Sequence, residues 1–99
     1  MVKNKLEILN NICYTELVYE RINKKLKSSF SKYDIEKMLF NIIEKTDENY
    51  FVKRGKNFYI TNIEHNIKIT VNSNTYRVIT VDTLNKSFNS ERQSPKAVN

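Results

Sequence analysis

Ile67-Lys68-Ile69-Thr70-Val71-Asn72-Ser73-Asn74-Thr75-Tyr76-Arg77-Val78-Ile79-Thr80-Val81-Asp82 is the stretch on which the fold turns. Ile67, Ile69 and Val71 alternate with Lys68, Thr70 and Asn72, the period of two that marks a strand with one buried face. The polar cluster Asn72-Ser73-Asn74-Thr75 reads as a turn, and Tyr76 to Asp82 as the next strand. A tight turn at Ser73-Asn74 predicts the pairs Val71–Tyr76 and Ile69–Val78, with Arg77, Ile79 and Val81 on the other face. The second strand is apolar on both faces. It is therefore expected at the centre of the sheet, or with its outer face covered by a partner.

Working back from this hairpin, Tyr50 to Lys53 and Asn57 to Asn62 flank Arg54-Gly55, where the one glycine of the chain supplies the positive φ of a tight turn. Further upstream the period changes to that of a helix. Ser31 caps a start with Asp34 three residues on and Phe30 set to pack on Ile35, and Ile35, Met38, Leu39, Ile42 and Ile43 form a broad apolar stripe. Thr46-Asp47-Glu48-Asn49 ends it. Before that, Leu6, Leu9, Ile12 and Cys13 share a helical face. A second start follows at Thr15, with Tyr14 packing on Tyr19 and Val18, Ile22 and Leu26 along one side. Whether Lys3 to Lys27 is one bent helix or two is open at this level. The expectation is an α+β domain over residues 1–84, two or three N-terminal helices packed on a C-terminal antiparallel sheet of about four strands. A flexible polar tail is expected over 85–99.

Composition excludes several classes of function. The 99 residues contain one cysteine, one histidine and one glycine. That leaves no internal disulfide, no zinc-ligand spacing and no glycine-rich phosphate loop. The longest apolar runs are three residues, as in Met38-Leu39-Phe40, far short of the roughly 20 needed to span a membrane. The N-terminus does not open into the apolar core of a signal peptide, so a cytoplasmic setting is expected. No Ser-His-Asp order or paired-carboxylate site is present, and no catalytic residue, metal or cofactor is expected. His65, in the Ile63–Asn66 connection, could present a general base but equally suits a solvated loop. Cys13 suits the core.

The net charge of +6 is unevenly spread, with +3 over residues 1–27, −2 over 28–49, +3 over 50–84 and +2 over 85–99. A phosphate backbone would meet the sheet and the end of the second helix. Lys53, Arg54 and Lys56 crowd one hairpin tip, where they could grip phosphates or keep a sheet edge soluble. Tyr59, Lys68 and Arg77, with Thr70, Ile79 and Val81, are expected on the open sheet face, a pattern suited to stacking bases or anchoring a protein. Lys24, Lys25 and Lys27 complete the candidate binding set, although cations also suit the last turn of a helix. Phe40 falls off the apolar stripe of its own helix.

Three stretches carry a resemblance. They are Asn11 to Asn23 (NICYTELVYERIN), Gly55 to Asn62 (GKNFYITN) and Ile69 to Asp82 (ITVNSNTYRVITVD). They resemble a family of small, functionally uncharacterised proteins of low-GC Gram-positive bacteria and their mobile elements, an origin that the richness in Asn, Lys and Ile also suits. The resemblance runs from about Leu9 to Leu84 and brings no catalytic residue. Through it the chain is similar to anti-CRISPR inhibitors of type II effector nucleases. That likeness implies a partner that is a CRISPR effector ribonucleoprotein or its guide RNA, bound without chemistry. Helices followed by a sheet with a Tyr76-Arg77-Val78-Ile79 strand are also similar to RelE-like endoribonuclease toxins. Here the first strand of that pattern is replaced by helix, and Tyr59, Arg77 and His65 would have to converge. The two-sided apolar character of Tyr76 to Val81 also allows a homodimer through the sheet.

Overall fold

A computed structural model describes residues 3–84. The tail expected over 85–99 lies outside them. Three helices, α1 (Lys3–Asn11), α2 (Glu16–Leu26) and α3 (Lys32–Lys45), precede a 3-10 turn at Glu48–Tyr50. Four strands follow, β1 (Phe51–Arg54), β2 (Asn57–Asn62), β3 (Ile67–Asn72) and β4 (Val78–Thr83), in an antiparallel sheet of order β1-β2-β3-β4. The fold is thus α+β, helices first and sheet after. Among the described residues no helix is long and apolar enough to cross a membrane.

The start signal of α3 acts as its chemistry requires, whereas Cys13, expected in the core, is exposed. Ser31 Oγ accepts the Asp34 N–H at 3.1 Å, which satisfies one of the backbone donors left open at the start of α3. The stripe of α3 buries Ile35, Leu39, Ile42 and Ile43, with Met38 half-buried at its margin. Lys3 to Lys27 forms two helices, and the sheet is the reason they separate. Cys13 N–H donates to Tyr76 O and Cys13 O accepts from Val78 N–H, both at 2.9 Å, a parallel bridge that a helical Cys13 could not make. Thr15 then caps α2 by backbone geometry alone, with no hydrogen bond from its side chain. The Tyr14 and Tyr19 rings stack with centroids 5.5 Å apart across that start.

One face of the sheet supplies Phe58, Ile60, Ile67, Ile69, Val71, Val78 and Val81 to the core, where they meet Ile8, Val18 and Ile22 and the buried side of α3. The β3–β4 register differs from the expectation. Asn72 Oδ1 accepts from the backbone N–H groups of Asn74 and Thr75, both at 2.8 Å, and from Thr75 Oγ1–H at 3.2 Å. These bonds hold open a longer loop, with Tyr76 at φ +61°. Val71 therefore pairs with Val78, not Tyr76, and Ile69 pairs with Val81, not Val78. A bulge near Thr70/Val71 shifts the register between these two pairs, so Val78 and Val81 both reach the core although three residues apart. Val81 leaves the open face to which its alternation assigned it.

β4 is an edge strand, and the partner expected on its apolar outer side is α2 of the same chain. Arg21 donates to Ile79 O at 3.0 Å, and Lys25 pairs with Asp82 at 2.7 Å one turn later. Together with the Cys13 bridge they cover an edge that would otherwise invite pairing with another chain.

A buried polar chain fastens the C-terminal end of α3 to the sheet. Thr46 Oγ1–H donates to Ile42 O at 2.6 Å and accepts from Asn62 Nδ2–H at 2.9 Å. Asn62 Oδ1 in turn accepts the His65 backbone N–H at 2.7 Å, with His65 Nδ1 3.0 Å away.

Candidate nucleic-acid interface

The face of the sheet turned away from the helices follows directly from the register. Residues paired across strands share a face, so Val52, Tyr59 and Thr70 stand in one row, Arg54 and Asn57 to one side of it, and Thr61, Lys68 and Asp82 to the other. Tyr59, on a central strand, is half-buried at the middle of this surface. Arg54 is two residues beyond its β1 partner and Lys68 two residues before its β3 partner. Both reach back diagonally, Arg54 Cζ to 5.8 Å from the ring centroid and Lys68 Nζ to 5.7 Å. Asn57 Nδ2–H donates to the Tyr59 hydroxyl at 3.4 Å.

These separations are close to the ~6 Å outer reach of a cation–π contact, which holds the cations near the ring without locking them to it. Both can swing onto phosphates while the ring meets a base. Asp82, the cross-strand partner of Lys68, brings Lys25 to the rim of the same face through their ion pair. Cations from two strands thus lie near one aromatic ring, with Lys25 paired to Asp82 at the rim.

The other candidate residues are placed elsewhere. Lys53 pairs with Phe58 and so belongs to the face opposite Arg54. Lys56 lies in the exposed hairpin turn after Gly55, whose φ is +62°. Its carbonyl accepts both the N–H and the Oγ–H of Ser73, at 2.7 and 3.0 Å, tying two adjacent hairpin turns together. Lys24 and Lys27 are exposed at the end of α2, where Lys27 is the left-handed cap with φ 56°. Arg77 is not beside Tyr59. It precedes β4 at the Cys13 bridge and lines a cleft of about 210 Å³ with Thr15, Arg21 and Ile79.

The three residues that a RelE-like active centre would need do not converge. His65 lies in the turn before β3, and Arg77 follows the loop after it. A six-residue strand separates them, roughly 17–20 Å at the usual rise. Among the described residues no group of three or more His, Cys, Asp and Glu side chains could hold a metal ion. Two of the phenols with displaced titration, Tyr14 and Tyr19, are on the helix side of the sheet. Burial, then the nearby Glu36 carboxylate, raises Tyr14, and burial with a hydrogen bond to Glu36 pushes Tyr19 up to about 12.

Alternation identifies Tyr59, Lys68 and Thr70 as face residues from sequence. It misses Asp82 and the role of Lys25, because the β3–β4 loop and bulge displace the register. It also misses Arg21, whose partner is a backbone carbonyl 58 positions away.

A three-helix, four-stranded antiparallel domain, with Tyr59 and two cations on the sheet face turned away from its described helices and Thr70 buried within that face, is the class of protein these features define. Residues 6–82 match the family described as "Protein of unknown function (DUF3781)", and the chain belongs to that family. No curated protein and no solved structure matches it.

Proposed function

We propose that this protein acts by binding, and that the surface it uses is the open sheet face centred on Tyr59. The observation that carries the proposal is the placement of Arg54 and Lys68 on opposite diagonals of one aromatic ring. Single-stranded nucleic acid is read by such surfaces, because every base has a face to stack and every nucleotide a phosphate to neutralise. A duplex would not offer its stacked bases to a flat sheet. The partner is accordingly an exposed RNA strand, free or carried by a large ribonucleoprotein.

Inhibition of a type II CRISPR effector through its guide RNA is the specific form of this reading. The supports for it are the basic face, the likeness of the three sequence stretches and the wide separation of His65 from Arg77. The test is titration of the protein into a reconstituted effector, guide and target-DNA cleavage reaction, with the guide followed on a denaturing gel. Lost DNA cleavage with intact guide, relieved by Arg54→Glu/Lys68→Glu, is the expected result. Undiminished cleavage removes this effector as the partner, and a shortened guide would replace binding by nuclease chemistry.

A further inference from the structure

We infer that the outward face of α3 is a self-association surface, on which a second copy of this chain docks antiparallel. Tyr33, Lys37, Phe40 and Glu44 follow one another at spacings of four, three and four residues, which lines them up along one side of the helix. That side lies opposite the buried stripe. Tyr33 is 69% exposed and Phe40 is 40% exposed, two aromatic side chains whose placement nothing in the core explains. Between them is a cleft of about 320 Å³ lined by Tyr33, Glu36, Lys37, Phe40 and Asn41.

The order along the stripe is phenol, cation, ring, carboxylate. Turned end for end about a two-fold axis between Met38 and Leu39, it complements itself. Tyr33 then faces the partner's Glu44, a hydroxyl donor against a carboxylate acceptor. Lys37 faces the partner's Phe40, an ammonium against an aromatic ring. Lys37 already lies 5.7 Å from the Tyr33 ring of its own chain, so the partner's ring would complete a sandwich.

Charge distribution favours this segment over the two segments of +3 for a meeting of two like chains. The protein is +6 overall, whereas residues 28–49 carry −2, so two copies approach here with least repulsion. A 14-residue helix is about 21 Å long, and two such helices bury less than the ~800 Å² per partner of a standard stable interface. The dimer is therefore weak and concentration-dependent, and it leaves the open sheet face of each copy free.

Sedimentation equilibrium at about 10 µM and about 500 µM protein tests this directly, since a weak dimer changes population across that range. The expected mass rises from monomer toward dimer. Tyr33→Lys/Phe40→Lys should stay monomeric, and Lys37→Glu should weaken association by roughly tenfold. Arg54→Glu/Lys68→Glu, on the sheet, lowers the net charge and should associate at least as well as the parent. A parent that remains monomeric at the higher concentration overturns the proposal. So does a double α3 variant that associates normally, or a sheet variant that does not. If circular dichroism shows the double variant unfolded, Lys37→Glu alone decides, and its unchanged association overturns the assignment.

Discussion

Lys68 Nζ lies 5.7 Å from the centre of the Tyr59 ring, reaching it from the strand next door along a diagonal that the β2–β3 register imposes. The contact exists because Tyr59 pairs with Thr70, whose side chain is short enough to leave the neighbouring space to a longer one. Tyr59→Ala should weaken single-stranded RNA binding by the value of one stacked base, about 1–3 kcal/mol, or roughly 5- to 150-fold. Fluorescence anisotropy with a short labelled RNA measures it. Tyr59→Phe, which keeps the ring, should bind nearly as the parent.

His65 makes its hydrogen bonds to Asn62, and neither Arg77 nor Tyr59 is beside it. His65→Ala should therefore leave RNA affinity and guide integrity unchanged, whereas a nuclease using it as acid or base would lose about 10²–10⁴-fold in rate. A time course of labelled RNA on a denaturing gel distinguishes the two.

The Thr46–Asn62 bond at 2.9 Å is buried, so removing one partner strands the other. Asn62→Ala should cost about 1–3 kcal/mol in urea denaturation, since Thr46 and the His65 turn both lose a partner. Its effect on RNA binding should be small under conditions where the variant remains folded.

Gly55 stands at φ +62°, and a Cβ added there would meet nothing within 4 Å. Gly55→Ala should therefore destabilise through backbone strain alone, by about 1 kcal/mol, and Gly55→Asn by less. Thermal melts of the two variants check the order.

The Tyr19 hydroxyl donates to Glu36, and burial, then that bond, raises its pKa from 10.0 to about 12. The protonated phenol is the form the fold favours. Its contribution to stability is complete below pH 10, declines as pH rises past 10, and is lost above about 12. Tyr14 shifts in the same direction, so Tyr19→Phe should lessen the alkaline fall in melting temperature without abolishing it. Melts at intervals between pH 9 and pH 12 follow it.

Much of this arrangement was legible in the residues themselves. Ile67, Ile69 and Val71 declare a half-buried strand by alternation, Gly55 marks its hairpin, and Ser31 caps α3 by the bond its position implies. What escaped was non-local. The side chain of Asn72 lengthens a loop that a turn rule reads as two residues, and the bulge then exchanges the faces of Val81 and its neighbours. Cys13 leaves its helix because Tyr76 and Val78 offer it hydrogen bonds from more than sixty positions away. Alternation likewise assigns Arg77 to the open face with Tyr59, yet it lies with Arg21 in the cleft against α2.

The most direct measurement is the salt dependence of single-stranded RNA affinity for the parent, Arg54→Glu/Lys68→Glu and Lys53→Glu. The parent should lose affinity linearly in log–log form as salt rises. The double reversal around Tyr59 should abolish binding, while Lys53→Glu, on the opposite face, should leave most of it. Equal loss from Lys53→Glu, or an affinity indifferent to salt and to the double reversal, would contradict the assignment of the open sheet face as a nucleic-acid surface.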